Sequence, residues 1–229
     1  EAIAPHDSTE RYTKLGVECI AGTAKVTSPH SVEVNGKTLT ARSLIVATGA
    51  RPLVPPIPGL DGIDYLTSDN VWDLKELPKK LVVLGGGPIG SEMAQAFARL
   101  GADVTLVEMA PQILIREDEE VIKLVTEKFT QENIRVLTSH KAKEFKEGVL
   151  ICEHAGKDVS VEFDKVIVAL GRKANVSGFG LEELGVTTRK QGTIETNPFL
   201  QTNIPSIYVC GDVTGPYQFT HTAAHQAWY

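Results

Sequence analysis

The sequence predicts an α/β fold built on a parallel sheet, and three observations carry that prediction. Short apolar runs alternate with amphipathic helical patterns across residues 80–132, which is the βαβα order of a parallel sheet with helices against it. A glycine-rich turn joins one of those runs to the next helix in "LVVLGGGPIGSEMAQAFARLG" (81–101). A meander-like pattern followed by an apolar strand ending in glycine occurs twice, once toward each end of the chain.

The first copy is "VEVNGKTLTARSLIVATGARP" (32–52). Alternation about Asn35-Gly36, a dipeptide suited to a two-residue hairpin turn, leads into an apolar strand that stops at Gly49. "GARPLVPPIPGLDG" (49–62) follows, and its Pro52, Pro55, Pro56 and Pro58 favour an extended connector crossing between domains. "TSDNVWDLKELPKK" (67–80) predicts a short helix from about Ser68, stopped before Pro78. The pattern next predicts a strand at 81–84 and a helix at 88–100 with Ile89, Met93, Phe97 and Leu100 on one face. A strand at 103–107 and a helix at about 117–132 carrying Val121, Val125 and Phe129 complete this run. The second copy is "VLICEHAGKDVSVEFDKVIVALGRKAN" (149–175), in which two alternating strands flank the turn Ala155-Gly156-Lys157-Asp158 and an apolar strand stops at Gly171.

Bulk properties narrow the function classes. The chain has 229 residues, 42% hydrophobic and 23% charged, which is enough for one large or two small globular domains. Its 23 basic and 29 acidic side chains give a net charge of -6, so there is no electrostatic ground for nucleic-acid or anionic-membrane partners. No apolar run reaches the roughly 18 residues of a membrane span, and no leader pattern opens the chain. The first residue is Glu1, so a piece of something larger is expected. Cys19, Cys152 and Cys210 stand far apart, form no CxxC or CxxxxC pair, and are expected to be buried thiols. The acidic run Glu117–Glu120 is read as the first turn of a helix, where negative charge complements the dipole, and no metal site is expected there.

The glycine turn carries the chemistry. Gly85, Gly86, Gly87 and Gly90 directly follow an apolar strand and open a helix. In that context Gly85 makes the tight turn, Gly87 lets the backbone approach a pyrophosphate, and Gly90 allows close helix–strand packing. Pro88 sits where its missing N–H costs nothing, ahead of Ile89, and Ala94 is small where the helix passes the sheet. Glu108 ends the second strand 18 residues past Gly90, close to the roughly 20 expected for a carboxylate that binds the adenine ribose. A carboxylate there repels a 2′-phosphate, and neither Met109 nor Ala110 is basic, although Arg116 is near; the reading is a Rossmann-like site for NAD. Carried back from Gly49, the spacing between Gly85 and Gly171 falls before residue 1, so the chain is expected to start inside a second dinucleotide-binding domain whose own glycine loop it lacks.

Four motifs in fixed order, "LIVATGARP", "GGGPIGSE", "VALGRKAN" and "NIPSIYVCGDV", resemble those of the FAD-dependent pyridine nucleotide-disulfide oxidoreductases, the group of dihydrolipoamide dehydrogenase, glutathione reductase and mercuric reductase. The resemblance implies a Rossmann-like parallel-sheet NAD-binding domain with a β-meander (67–192), inserted in a partial FAD-binding domain of the same type (1–66 and 193–229). It implies that Gly85, Gly86, Gly87, Pro88, Ile89, Gly90, Glu108, Met109, Ala142 and Gly171 lie against NAD. Gly22 and Ala24 would lie near the FAD adenine, Thr48 and Gly49 along that cofactor, Gly211 and Asp212 at its ribityl chain, and Thr220 at the flavin pyrimidine. Glu92 would belong to a flavin-side ion pair.

The chain departs from the family pattern at Ala174, where a proline stands in the GRxPN loop, which loosens that loop. It shows no redox CxxxxC pair, the family's C-terminal dimerisation domain with its catalytic His-Glu pair is expected to lie outside it, and His221 and His225 are expected to be structural or solvent-facing. The parent is therefore expected to be a cytoplasmic homodimer passing a hydride from NADH to FAD and then electrons to a small-molecule disulfide or a metal ion. This chain alone is expected to bind NAD(H), to hold little FAD and not to turn over. A flavin NADH oxidase or ferredoxin-type reductase without a redox disulfide, and a non-catalytic NAD-binding module, stay open as alternatives.

Overall fold

The computed structural model describes residues 8–228; residues 1–7 and Tyr229, the outer ends of the two expected FAD-type segments, lie outside the described residues. The chain is α/β. Helix α1 (Thr9–Lys14) precedes β1 (Ala24–Ser28), β2 (Ser31–Val34), β3 (Lys37–Thr40), β4 (Leu44–Val46) and β5 (Ala50–Pro52). Then come β6 (Lys80–Leu84), α2 (Pro88–Leu100), β7 (Asp103–Val107), α3 (Glu119–Gln131) and β8 (Arg135–Leu137). The remainder is β9 (Lys141–Lys146), β10 (Val149–His154), β11 (Lys157–Glu162), β12 (Lys165–Val168), β13 (Arg172–Ala174), β14 (Ile207–Val209) and α4 (Thr220–Trp228).

Two compact units divide at Ala50/Arg51 and Lys173/Ala174, one being Arg51–Lys173 and the other the flanking segments. Packing continues across the expected divisions at 66/67 and 192/193. Leu66 bridges the edge of the β12 sheet, donating to the Val166 carbonyl and accepting from the Val168 N–H, and Leu60 is buried with Val82, Leu84 and Phe145. On the other side, Leu181 and Val186 are buried with Val26, Val46 and Ile207.

In the Arg51–Lys173 unit the sheet runs β12-β6-β7-β8, all parallel. Strand period decides its two faces. Leu81 and Val83 of β6 join Val104, Leu106, Phe97 of α2 and Phe129 of α3, while Val82 and Leu84 join Val107 and Leu150, Cys152 and Val161 of the antiparallel meander β9–β11. A strand buried on both faces reads as a continuous apolar run, which is why "LVVL" does not alternate. Each such side chain contributes about 1.5–3 kcal/mol by leaving water.

Local corrections follow from what each element can bury. Helix α2 spans the expected residues, but its inward face is Gly90, Ser91, Ala94 and Phe97, with Met93 partly buried and Leu100 exposed, because small residues let it lie close to the sheet. In α3, Ile122 is buried and Val121 exposed. At 3.6 residues per turn Val121 lies about 80° around the helix from Phe129, and Ile122 only about 20°. The helix expected from Ser68 is a single 3-10 turn, Val71–Asp73; Asn70 Oδ1 takes the Thr67 N–H at 2.6 Å, and only Val71 of the turn is buried.

The hairpin β2–β3 turns through Asn35-Gly36 as expected, with Val34 opposite Lys37. In β10–β11, His154 lies opposite Lys157, so the turn is Ala155-Gly156 and Lys157 and Asp158 are strand residues. The flanking unit repeats the plan: meander β1-β2-β3, then β4 paired in parallel with β14. Of the cysteines, Cys152 is buried and Cys210 half-buried, but Cys19 is exposed, as are all of residues 9–25 leading into β1. Among the described residues no helix is long and apolar enough to cross a membrane.

Candidate functional site

Four glycines shape the turn between β6 and α2, and three are required by the protein's own atoms. Gly85 has φ +101°, and a Cβ there would come 2.4 Å from the Ala169 carbonyl oxygen at the end of β12. A Cβ on Gly90 would stand 1.9 Å from the Gly85 carbonyl oxygen, and one on Gly86 2.8 Å from Ile113 Cγ2. At Gly87 an added Cβ meets nothing within 4 Å. Gly87 is the N-cap of α2 and Pro88 its first residue, so no side chain caps the helix. The first-turn N–H groups of a helix lack intrahelical partners and carry the positive end of its dipole, so the mouth before Gly87 is an open cradle suited to a diphosphate.

Glu108 closes the side of the cradle. Its Oε2 accepts the Gly86 N–H at 2.6 Å and its Oε1 the Ala110 N–H at 2.7 Å, which stitches the end of β7 to the glycine turn. A carboxylate oxygen has two acceptor sites, so each retains one for a sugar hydroxyl. Leu114 N–H donates to the Gly86 carbonyl at 2.7 Å with Ile113 buried beneath it. Ser139 and His140 N–H groups donate to the Ala110 and Glu108 carbonyls, and the His140 ring stacks on His154 at 4.2 Å between centroids. Gly85–Gly90, Glu108 and Met109 thus meet at the carboxyl ends of β6 and β7, the edge where α/β sheets bind ligands. Met109 and Arg116 are exposed. Ala142 lies on β9 opposite Cys152, Gly171 accepts the Leu53 N–H after β12, and Glu92 is exposed on α2.

The candidate residues of the flanking unit fall into three local groups. Thr48 and Asn175 bind each other: Thr48 Oγ1 donates to the Asn175 carbonyl at 2.7 Å, and Asn175 Nδ2 donates to the Thr48 carbonyl at 2.9 Å. Asn175 N–H also donates to the Gly49 carbonyl, and an added Cβ at Gly49 meets nothing. Ala174 is buried, part of the ribbon strand β13, which is not a loosened loop. Gly22 sits under the Asn35 side chain, whose Nδ2 donates to the Ala21 carbonyl, and Ala24 opens β1. Gly211 and Asp212 form a turn after β14 that faces α4, which starts at Thr220; His221 stacks on Phe219, and His221 and His225 are exposed.

Ile113 and Gln226, and the side-chain bonds of Asn35 and Asn175, shape these groups and escaped the sequence reading, because each bonds or packs against backbone remote in sequence. Burial pushes the Cys152 thiol up to about 11 and raises Cys210, the reverse of what a nucleophilic thiolate needs. Glu119 and Glu120 lie in the first turn of α3, and among the described residues no cluster of three His, Cys, Asp or Glu is gathered to hold a metal.

The pattern of the family described as Pyridine nucleotide-disulphide oxidoreductase matches residues 6–227. A mercuric reductase from Staphylococcus aureus is 37% identical over 225 residues, covering 95% of this chain and 41% of the relative. A dihydrolipoyl dehydrogenase from Chlamydia pneumoniae is 37% identical over 220 residues, 94% of this chain and 47% of the relative. The HOCl-induced flavoprotein disulfide reductase RclA from Escherichia coli superposes with a TM-score of 0.85 at 27% identity over 97% of this chain and 52% of that one. The chain therefore spans about half or less of the length of these proteins. With the family pattern matching all but the two ends of the chain, residues 6–227, the chain belongs to the pyridine nucleotide-disulphide oxidoreductases.

Proposed function

We propose that this chain is the nucleotide-binding part of a flavoprotein oxidoreductase that passes a hydride from NADH to FAD and on to a disulfide or a metal ion. Arg51–Lys173 would bind NAD, and the flanking unit would be part of the FAD-binding domain. The names of the mercuric reductase and dihydrolipoyl dehydrogenase relatives motivate the two acceptor classes. The observation that carries the reading is Gly87: its missing side chain serves nothing inside the protein, and the space it leaves lies before an uncapped helix start.

When bound, the two cofactors supply hydride donation and acceptance; the residues here bind and orient. The Gly87–Gly90 backbone would receive the diphosphate, with Gly85, Gly86, Pro88 and Ile89 setting its shape. Glu108 would take the adenine ribose and repel a 2′-phosphate, beside Met109, Ala142 and Gly171. In the flanking unit Asp212 would meet the ribityl chain, and the start of α4 at Thr220 would offer N–H donors to the flavin ring. Gly22, Ala24, Thr48, Gly49 and Gly211 would line the rest of FAD, and Glu92 would serve a flavin-side ion pair. Ile45 on β4 is 72% exposed, whereas parallel strands are ordinarily covered on both faces, which supports reading this unit as part of a larger domain.

Titration of the purified chain tests the reading. Saturable NADH binding is expected, with NADPH at least about tenfold weaker because of the Glu108 charge. Equal or tighter binding of NADPH, or none of either nucleotide, overturns it. Little flavin should co-purify.

A further inference from the structure

We propose that Gln226 is a positioning residue for the Gly211–Asp212 turn: its side-chain amide binds that turn at two points and ties it to α4. The inference rests on the flavin reading above and names the side chain that sets the geometry of the flavin-side contacts.

Helix α4 has no fully buried residue, so apolar burial does little to fix it. What faces it is a backbone turn. Gly211 has φ +81°, and an added Cβ would come 3.5 Å from Ala223 Cβ, so α4 lies close at that point. Three residues on, on the same helix edge, Gln226 Oε1 accepts the Gly211 N–H at 2.7 Å. Its Nε2 donates to Thr214 Oγ1 at 3.4 Å, and the single proton of that hydroxyl is shared between the Gly211 carbonyl at 3.0 Å and the Gly215 carbonyl at 3.1 Å. The chain of bonds runs from Gly211 N–H through the Gln226 amide to the Thr214 hydroxyl, whose two carbonyl partners, Gly211 and Gly215, bound the same turn. A backbone N–H can only donate, so the Gln226 oxygen must face Gly211 and its NH2 must face Thr214.

The rest of the turn is pinned from other directions. Thr214 is buried, and its carbonyl accepts from Arg189 Nη1 at 2.5 Å. Gln218 Nε2 donates to the Asp212 carbonyl at 3.1 Å. Gln226 is the member of this set that belongs to α4. The two contacts assigned to the flavin from this stretch, Asp212 and Thr220, thus sit on the two pieces that Gln226 joins, and its amide sets their relative position.

The test compares Gln226→Leu and Gln226→Glu in the full-length protein loaded with FAD, reading Gly211 amide exchange, FAD affinity and the visible flavin spectrum. Leucine removes both bonds while leaving the apolar core untouched. Gly211 exchange is expected to accelerate and FAD affinity to fall by about fivefold each, the net worth of one hydrogen bond, with a shifted flavin spectrum. Glutamate keeps an acceptor for the Gly211 N–H, and the Thr214 hydroxyl can turn its one proton from the backbone carbonyls to the second carboxylate oxygen, so exchange, affinity and spectrum should return to within about twofold of the wild type. Wild-type affinity and spectrum in Gln226→Leu overturn the inference, as does failure of glutamate to rescue. If the wild-type full-length protein takes up no FAD, the flavin reading falls and the inference with it, and Gly211 exchange then reports a purely structural latch.

Discussion

Gly87 and Gly90 lie three residues apart in one turn and should respond to a methyl group in opposite ways. A Cβ on Gly90 would overlap the Gly85 carbonyl, so α2 and β6 must separate to admit it. Gly90→Ala is expected to cost about 1–3 kcal/mol, as overpacking does, and to weaken nucleotide binding with it. Gly87 has φ -73° and ψ -177°, an ordinary extended backbone, and open space beyond. Gly87→Ala is therefore expected to fold with a loss of under about 1 kcal/mol while NADH affinity drops at least about tenfold, because the methyl stands where the diphosphate sits. Thermal unfolding and NADH titration of both variants separate the two effects; a Gly87→Ala protein with wild-type affinity removes the cradle from the account. Thiol chemistry offers an independent check at this scale. Cys19 is exposed, whereas Cys152 is fully buried with its thiol pushed up to about 11. A thiol reagent should modify Cys19 at once in the native protein and Cys152 only on denaturation, with Cys210 between them; rapid native modification of Cys152 would contradict the core described here.

Helices α2 and α3 are joined at their far ends by Glu132, the residue that caps α3. Arg99 donates to it from Nη2 at 2.7 Å and Nε at 3.2 Å, Gln95 donates at 3.0 Å, and Lys128 lies 3.5 Å away. The Arg99 bond, helped by Gln95 and Lys128 and opposed by partial burial, holds the Glu132 carboxyl down to about 2 from its ordinary 4.5. A depressed carboxylate stabilises the fold above its unfolded value and loses that contribution as pH falls through its folded one. Glu132→Gln is accordingly expected to be less stable than the wild type near neutral pH, with the gap closing between about pH 4.5 and 2 in denaturant unfolding; a gap that stays constant on acidification would rule out the ion pair as its source. The β6–α2–β7 segment was legible in the sequence because its signals are local: a strand buried on both faces, Pro88 at the helix start and Gly101 at its end. The turn at 71–73 was not, since Asn70 binding the Thr67 N–H and the burial of Val71 alone decide it. At the site, spacing located Glu108, but its bonds to Gly86 and Ala110 depend on how the loop folds back over Ile113. Gln226 carries no pattern at all, and the motif that ends in Asn175 does not tell of its bond to Thr48, as amides that bond distant backbone look like any solvated polar residue.

The Arg51–Lys173 unit has three layers: α2 and α3, the parallel sheet, and the β9–β11 meander. Both of its apolar clusters are made wholly of its own residues, so neither core needs a side chain from the flanking segments. A fragment of residues 51–173 is therefore expected to fold cooperatively and to bind NADH as the whole chain does, since every residue proposed to line that nucleotide lies within it. The decisive comparison is a fragment that begins at residue 67. It lacks Leu60, which is 2% exposed among Val82, Leu84 and Phe145, and Leu66, whose backbone carries two hydrogen bonds to the edge strand β12. Losing two buried leucines costs about 2–5 kcal/mol each when a cavity remains, a large share of the stability of a domain this size. The shorter fragment should unfold at markedly lower denaturant or stay molten. Should it match the 51–173 fragment in both stability and NADH affinity, the proline connector is a passive linker, and the division of the chain belongs at 66/67 after all.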